Sequence, residues 1–366
     1  MKNKGWRWLP PVMAASMALT GCGTVAAKTV AMAPASHAPK SSTMGSMATP
    51  SGGGLLKGVP SDVLVGAAAS PQMGSGNGML IVDSVGMKKT WKIPLTSGAN
   101  AFSAAIDGNA VYVPTLQGTT YVVSLKTHQV VSQFASPTGD RTAVIAQSAH
   151  LLLLVGASNV TAYSLPSFKE AWQANIGGNA LAVVGQQAYL SSNASSTTAL
   201  LNLATGHVDA TIPVGHIEDS VYDPQRHTLW LANWTNGDMT VVNTLDNQIV
   251  AEIQRKEGGG FSPTNMMTSS GGFMQLAVGP SGRHVYAASF SGNIMEYNAS
   301  NNTFARDIPV NIPMAKLSGL AIDPSGQYAY TTVESHQETV SVSLKTGRVV
   351  STVPHLMSNR WSVVSR

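Results

Sequence analysis

Three features of this 366-residue sequence predict an all-β fold, a seven-bladed β-propeller of four-stranded antiparallel blades with its first blade closed by the C-terminal strand. A unit of four short strands recurs from residue 61 onward. The composition, with 35 Gly and 19 Pro, is rich in turn formers. One strand is spare at the C-terminus, and the first unit is one strand short. Repetition at roughly 40 to 50 residues with four strands per unit is the mark of blades arranged around a central channel.

Along the chain, residues 1–21 combine Lys2, Lys4 and Arg7 with an apolar stretch from Leu9 to Leu19. A charged start, a short apolar core and small residues before a cut site describe an export signal. The apolar run is shorter than a membrane-spanning helix requires. Leu19-Thr20-Gly21-Cys22 follows, and it holds the sole cysteine of the chain. These four residues resemble the bacterial lipobox. The resemblance implies that Cys22 is acylated and becomes the mature N-terminus, and Gly23 after it implies outer-membrane or outer-surface placement. Two or more acyl chains anchor stably where one binds only marginally. The other reading is an ordinary signal peptide with a chance cysteine. Either way, a single cysteine forms no intramolecular disulfide.

Residues 22–60 are rich in Ala, Ser, Thr, Pro, Gly and Met and show no periodicity, which predicts a flexible tether. Its Met32, Met44, Met47 and His37 are incidental in such a tether or, on the other reading, soft ligands for Cu(I).

The propeller is expected over 61–366. Its clearest unit runs from Leu317 to Val353, with strands at 317–322, 328–333, 339–344 and 348–353. Asp323-Pro324-Ser325-Gly326 joins the first two strands, with Pro where φ near −65° is wanted and Gly where the chain reverses. Lys345-Thr346-Gly347 closes the last hairpin. The same order recurs at 102–134, 143–176, 181–214, 219–253 and 274–308. Before residue 102 only three strands stand, at 62–68, 79–83 and 88–95, and Arg360 to Ser365 supplies a fourth. Pairing the two chain ends leaves no long free edge. The longest interval between units contains an insertion, 254–272.

Charged residues are only 11% and the net charge is +4. The basic residues are scattered, which disfavours a nucleic-acid surface. Few carboxylates also suit an acidic exterior, since fewer groups must stay ionised to hold the fold.

Second strands carry a signature. Leu229-Trp230-Leu231-Ala232-Asn233 is the fullest example, and Val111-Tyr112-Val113, Val285-Tyr286-Ala287 and Ala329-Tyr330-Thr331 are looser ones. With the Asp-Pro turns before them, they resemble YVTN-type β-propeller repeats over about residues 62–366. The resemblance degrades at 143–176 and 181–214, which lack the Asp-Pro turn. It implies an extracytoplasmic binding protein, a surface-layer protein or a relative of propeller lactonases and dehydrogenase subunits, and the fold does not choose among these.

The loops entering the innermost strands converge at one mouth of the channel. They offer Asn100, Asp140, Arg141, Asn179, His216, Glu218, Asp219, Lys316, Asn359 and Arg360. As a set they suit a small polar ligand. As individuals each reads more readily as a loop residue satisfying caps and turns. His216, Glu218 and Asp219 are the candidate catalytic or metal-binding cluster, although no second His stands at a recognised zinc spacing, so no metal is assigned. Ligand-binding candidates are Arg141, Asn179, His216, Lys316 and Arg360, with Trp234 as a stacking surface and Met266 and Met267 in the insertion. No phosphate loop, nucleophile elbow or haem-attachment motif occurs, and no cofactor is expected.

The reading that follows is a lipid-anchored, surface-displayed or periplasmic binding or scaffold module. It contacts the membrane through Cys22 and takes a protein or small polar ligand at the propeller mouth. The alternatives are a lactonase-like hydrolase and an extracytoplasmic copper or redox partner.

Overall fold

The computed structural model describes residues 62–68, 79–84, 87, 89–96, 98–235, 237–254 and 272–365. The expected leader, the tether, Cys22, Met266, Met267 and nearly all of the 254–272 insertion lie outside them.

The described strands form seven four-stranded antiparallel sheets. Six blades, not seven, are uninterrupted stretches of chain. These are blade 2 (strands from Ala105 to Ala135), blade 3 (Thr142–Ala174), blade 4 (Ala180–Ile212), blade 5 (Ile217–Ile253), blade 6 (Phe273–Pro309) and blade 7 (Leu317–Pro354). The remaining sheet is composite. Asp62–Ala67, Met79–Ser84 and Thr90–Pro94 are joined by the terminal strand Trp361–Ser365, which pairs with Asp62–Ala67 in the innermost position. This is blade 1.

Burial explains why these segments are strands. The second strands are apolar on both faces because a neighbouring blade covers each face. In blade 3, Leu151–Val155 is buried at every position. In blade 5, Leu229 and Leu231 pack toward blade 4, against Tyr189 and Leu200. Trp230 and Ala232 between them pack toward blade 6, against Phe273 and Val285. Outermost strands alternate with solvent or are exposed almost throughout, as at Gln129–Ala135, where only Phe134 is half-buried.

Seven such inter-blade cores complete a ring among the described residues. Blades 2 and 3 meet through Tyr112 and Leu152, blades 3 and 4 through Leu153 and Leu190, and blades 6 and 7 through Ile294 and Leu320. The chain ends close it. Leu64 and Trp361 pack on Tyr330 of blade 7, and Val63 and Val65 pack on Val111 and Val123 of blade 2.

The Asp-Pro turns owe their sequence to their own carboxylates. Asp323 accepts hydrogen bonds from the backbone N–H groups of Gln327 (2.9 Å) and Tyr328 (2.7 Å) and from the Ser325 hydroxyl (2.5 Å). Asp223 does the same work for Gln225 and pairs with Arg226.

Candidate functional site

Strand register defines the channel mouth. The first inner-strand residues of blades 3, 4, 5, 6, 7 and 1 are Thr142, Ala180, Ile217, Phe273, Leu317 and Trp361. Each faces the end of its second strand, at Val155, Ser191, Asn233, Ser289, Val333 and Gly66. In blade 2 an isolated bridge between Ala101 and Thr115 takes this place. The residues one step earlier are therefore equivalent: Asn100, Arg141, Asn179, His216, Gly272, Lys316 and Arg360. Six of these seven are polar. Backbone bonds confirm the equivalence, since Asn100, His216, Gly272 and Lys316 each accept from the residue after the matching second strand.

These side chains do not all converge. Arg360 crosses from blade 1 to blade 5, where its Nη1 donates to Asp219 Oδ1 at 2.5 Å and its Nη2 to the Glu218 carbonyl at 3.3 Å. Asp219 Oδ2 accepts from the Leu276 N–H of blade 6 at 2.7 Å. Asp219 is thus fully engaged in a latch. His216 is exposed, takes a left-handed backbone with φ of 58°, and places Nδ1 3.1 Å from the Asn193 carbonyl. Three neighbours in sequence, His216, Glu218 and Asp219, are committed to three different partners. Trp234 is half-buried, with its backbone N–H donating to the His216 carbonyl.

Glu218 occupies the centre of what remains. A β-bulge between Ile217 and Asp219 turns it out of the ladder. Bulges re-aim side chains in this way near functional sites. Its Oε2 accepts from Asn193 Nδ2 at 3.1 Å and Asn179 Nδ2 at 3.4 Å. Asn179 Nδ2 also donates to the Glu218 carbonyl at 2.7 Å, and its Oδ1 accepts from the Asn193 N–H at 2.8 Å. Burial pushes the Glu218 carboxyl up to about 7, against the opposing charges of Arg360 and Arg141. Arg141 lies over the Phe102 ring, 5.2 Å from its centroid. On the far side, burial lowers the Lys316 ammonium and raises the Glu334 carboxyl, whose Oε1 accepts from Asn359 Nδ2 at 3.3 Å.

Sequence reasoning missed Gln275, Asn193 and Glu334. Gln275 lies in a second inner-strand bulge, between Phe273 and Leu276. Its Oε1 accepts from the Leu320 N–H (2.7 Å) and the Trp361 N–H (2.8 Å), while its Nε2 donates to the Trp361 carbonyl (2.8 Å). One amide thereby ties blades 6, 7 and 1. A polar residue in an otherwise apolar inner strand was the available signal.

No protein-family model and no curated protein matches the chain. Among solved structures it is similar to "Kuenenia stuttgartiensis Hydrazine Synthase", with a TM-score of 0.59 and 12% identity over 70% of this chain and 87% of that one. This likeness establishes the β-propeller fold alone. In all 1765 solved chains are similar, so the fold is too widely shared to select an activity.

Proposed function

We propose that this protein is a non-catalytic binding module that takes a small polar ligand with an anionic end at the channel mouth. Glu218 carries the reading. A carboxyl raised to about 7, steadied by two amides and within the field of Arg141, is a specific recognition group rather than a surface charge. Around neutral pH it both donates and accepts, and Arg141 supplies the positive charge that an acidic ligand needs.

Arg360 and Asp219 belong to the framework of this site because each is paired with the other. The hydrolase alternative loses support from the divergence of His216 and Asp219. The export signal and the lipobox-like segment at Cys22 support placement on a membrane, facing the periplasm or the exterior. The YVTN-like second strands support kinship with extracytoplasmic propellers.

The test is calorimetric titration of the purified protein with a panel of small mono- and dicarboxylates. Saturable binding is expected for at least one. Arg141→Ala should weaken it about tenfold or more, as loss of a charge-assisted bond implies. Binding that is absent across the panel, or unchanged in both Arg141→Ala and Glu218→Gln, would overturn the assignment.

A further inference from the structure

Among the described residues five acidic residues are buried, Asp140, Asp219, Asp223, Glu296 and Asp323, while Glu218 and Glu334 are half-buried. Four are paired. Asp219 has Arg360 and the Leu276 N–H, Asp223 has Arg226 and the Gln225 N–H, Glu296 has Arg306, and Asp323 has its turn. Asp140 is 0% exposed, and neither of its oxygens has a hydrogen-bond partner. A buried carboxylate without compensation is among the costliest arrangements in a protein, so one left bare implies a missing partner.

The surroundings identify what kind of partner. Asp140 sits in the loop between blades 2 and 3 and faces the hairpin of blade 3 at Gly156. A Cβ built on Gly156 would lie 2.9 Å from Asn159 Oδ1, 3.2 Å from Asp140 Oδ1 and 3.5 Å from the Gly139 carbonyl oxygen. Three oxygen acceptors therefore crowd one point that only glycine leaves open. The Asn159 amide nitrogen donates to Thr161 Oγ1 at 3.3 Å, which leaves its oxygen beside Gly156 without that bond. Acceptors facing acceptors repel unless something positive stands between them. The next residue, Arg141, does not supply it, since its guanidinium lies over the Phe102 ring, 5.2 Å from the centroid, and neither Asp140 oxygen has a hydrogen-bond partner. Ala157 and Ser158 at the hairpin tip are exposed, which puts solvent one residue from Gly156, where a bound cation would draw the rest of its coordination shell.

We propose that Asp140, Asn159 Oδ1 and the Gly139 carbonyl bind a hard, oxygen-preferring cation of the Ca2+ type, pinning the loop between blades 2 and 3 to the blade 3 hairpin. The ligand set is all oxygen, which excludes soft metals. A single carboxylate gives a weak site, on the order of 10⁻⁴ to 10⁻³ M for Ca2+, as in extracellular modules. The inference is independent of ligand binding at the mouth.

The experiment is thermal unfolding and calorimetry of the full chain, stripped with a chelator, against CaCl2 and NaCl, with choline chloride holding ionic strength constant. The expected result is a saturable rise in Tm with Ca2+, or with Na+ alone if the site is monovalent, and a folding constant raised about tenfold at ten times Kd. Asp140→Asn should abolish the response while remaining folded, because it removes the bare charge without changing shape. Gly156→Ala, whose methyl would occupy the cluster, should abolish it too. A cation response that is equal in wild type and Asp140→Asn overturns the proposal, and so does the lack of any response in the wild type.

Discussion

Replacing Arg360 with Ala should destabilise the propeller by about 3 kcal/mol. The Asp219–Arg360 bond is 2.5 Å long, with side-chain exposures of 9% and 21%. Breaking a buried pair by removing one partner typically costs about 3–5 kcal/mol, because a charge is left uncompensated. Two features place this case at the lower end. Asp219 keeps the Leu276 N–H, and the partial exposure of Arg360 lets water replace the guanidinium. At roughly 2–3 °C per kcal/mol for a domain of this size, Tm should fall by about 6–9 °C. Urea denaturation followed by tryptophan fluorescence and far-UV circular dichroism is the assay. A double-mutant cycle with Asp219→Asn separates the bond from local packing. The combined variant should lose less than the sum of the singles by about 1–3 kcal/mol. A loss below about 1 kcal/mol for Arg360→Ala, or additivity within about 0.5 kcal/mol, would refute the latch.

Deleting 361–366 removes the innermost strand of blade 1 and its packing on Tyr330, so the shortened chain should fail to fold cooperatively; a sharp, native-like melting transition would contradict closure by the terminal strand. Gln275→Leu strands two backbone N–H groups, and at about 1–3 kcal/mol for each unsatisfied donor the loss should be roughly 2–6 kcal/mol in denaturant titrations, whereas a neutral result would remove its inter-blade role. Gly66→Ala brings a methyl within 2.6 Å of the Trp361 ring, and overpacking of this kind should lower stability by about 1–3 kcal/mol or more. Stability should rise as pH falls. Asp140 and Glu218 titrate at about 7 in the folded chain, against roughly 4 unfolded, so between those values the native state holds more protons, and ∂ΔG/∂pH for unfolding is negative. With cations withheld, Tm should increase from pH 8 to pH 5, and Asp140→Asn with Glu218→Gln should flatten the rise. A Tm that falls steadily over that range would show the opposite linkage.

The sequence by itself determined the blades. Short continuous apolar runs such as residues 229–232, turns set by Asp223 and Asp323, and a spare strand at Trp361 are local signals. Each is written where it acts, because strand and turn propensities are short-range. The mouth positions were legible too, since the residue before each inner strand recurs with the repeat. Tertiary structure alone decided what those residues do. Arg360 and Asp219 are 141 positions apart, and nothing local says that they meet. Glu218 and Gln275 point where they do because inner-strand bulges shift the register by a residue or two, which composition does not announce. Asp140 looked like one more polar loop residue. Only packing against Gly156 strips it of water and leaves its charge unanswered, because burial is a property of the assembled ring and not of the chain that forms it.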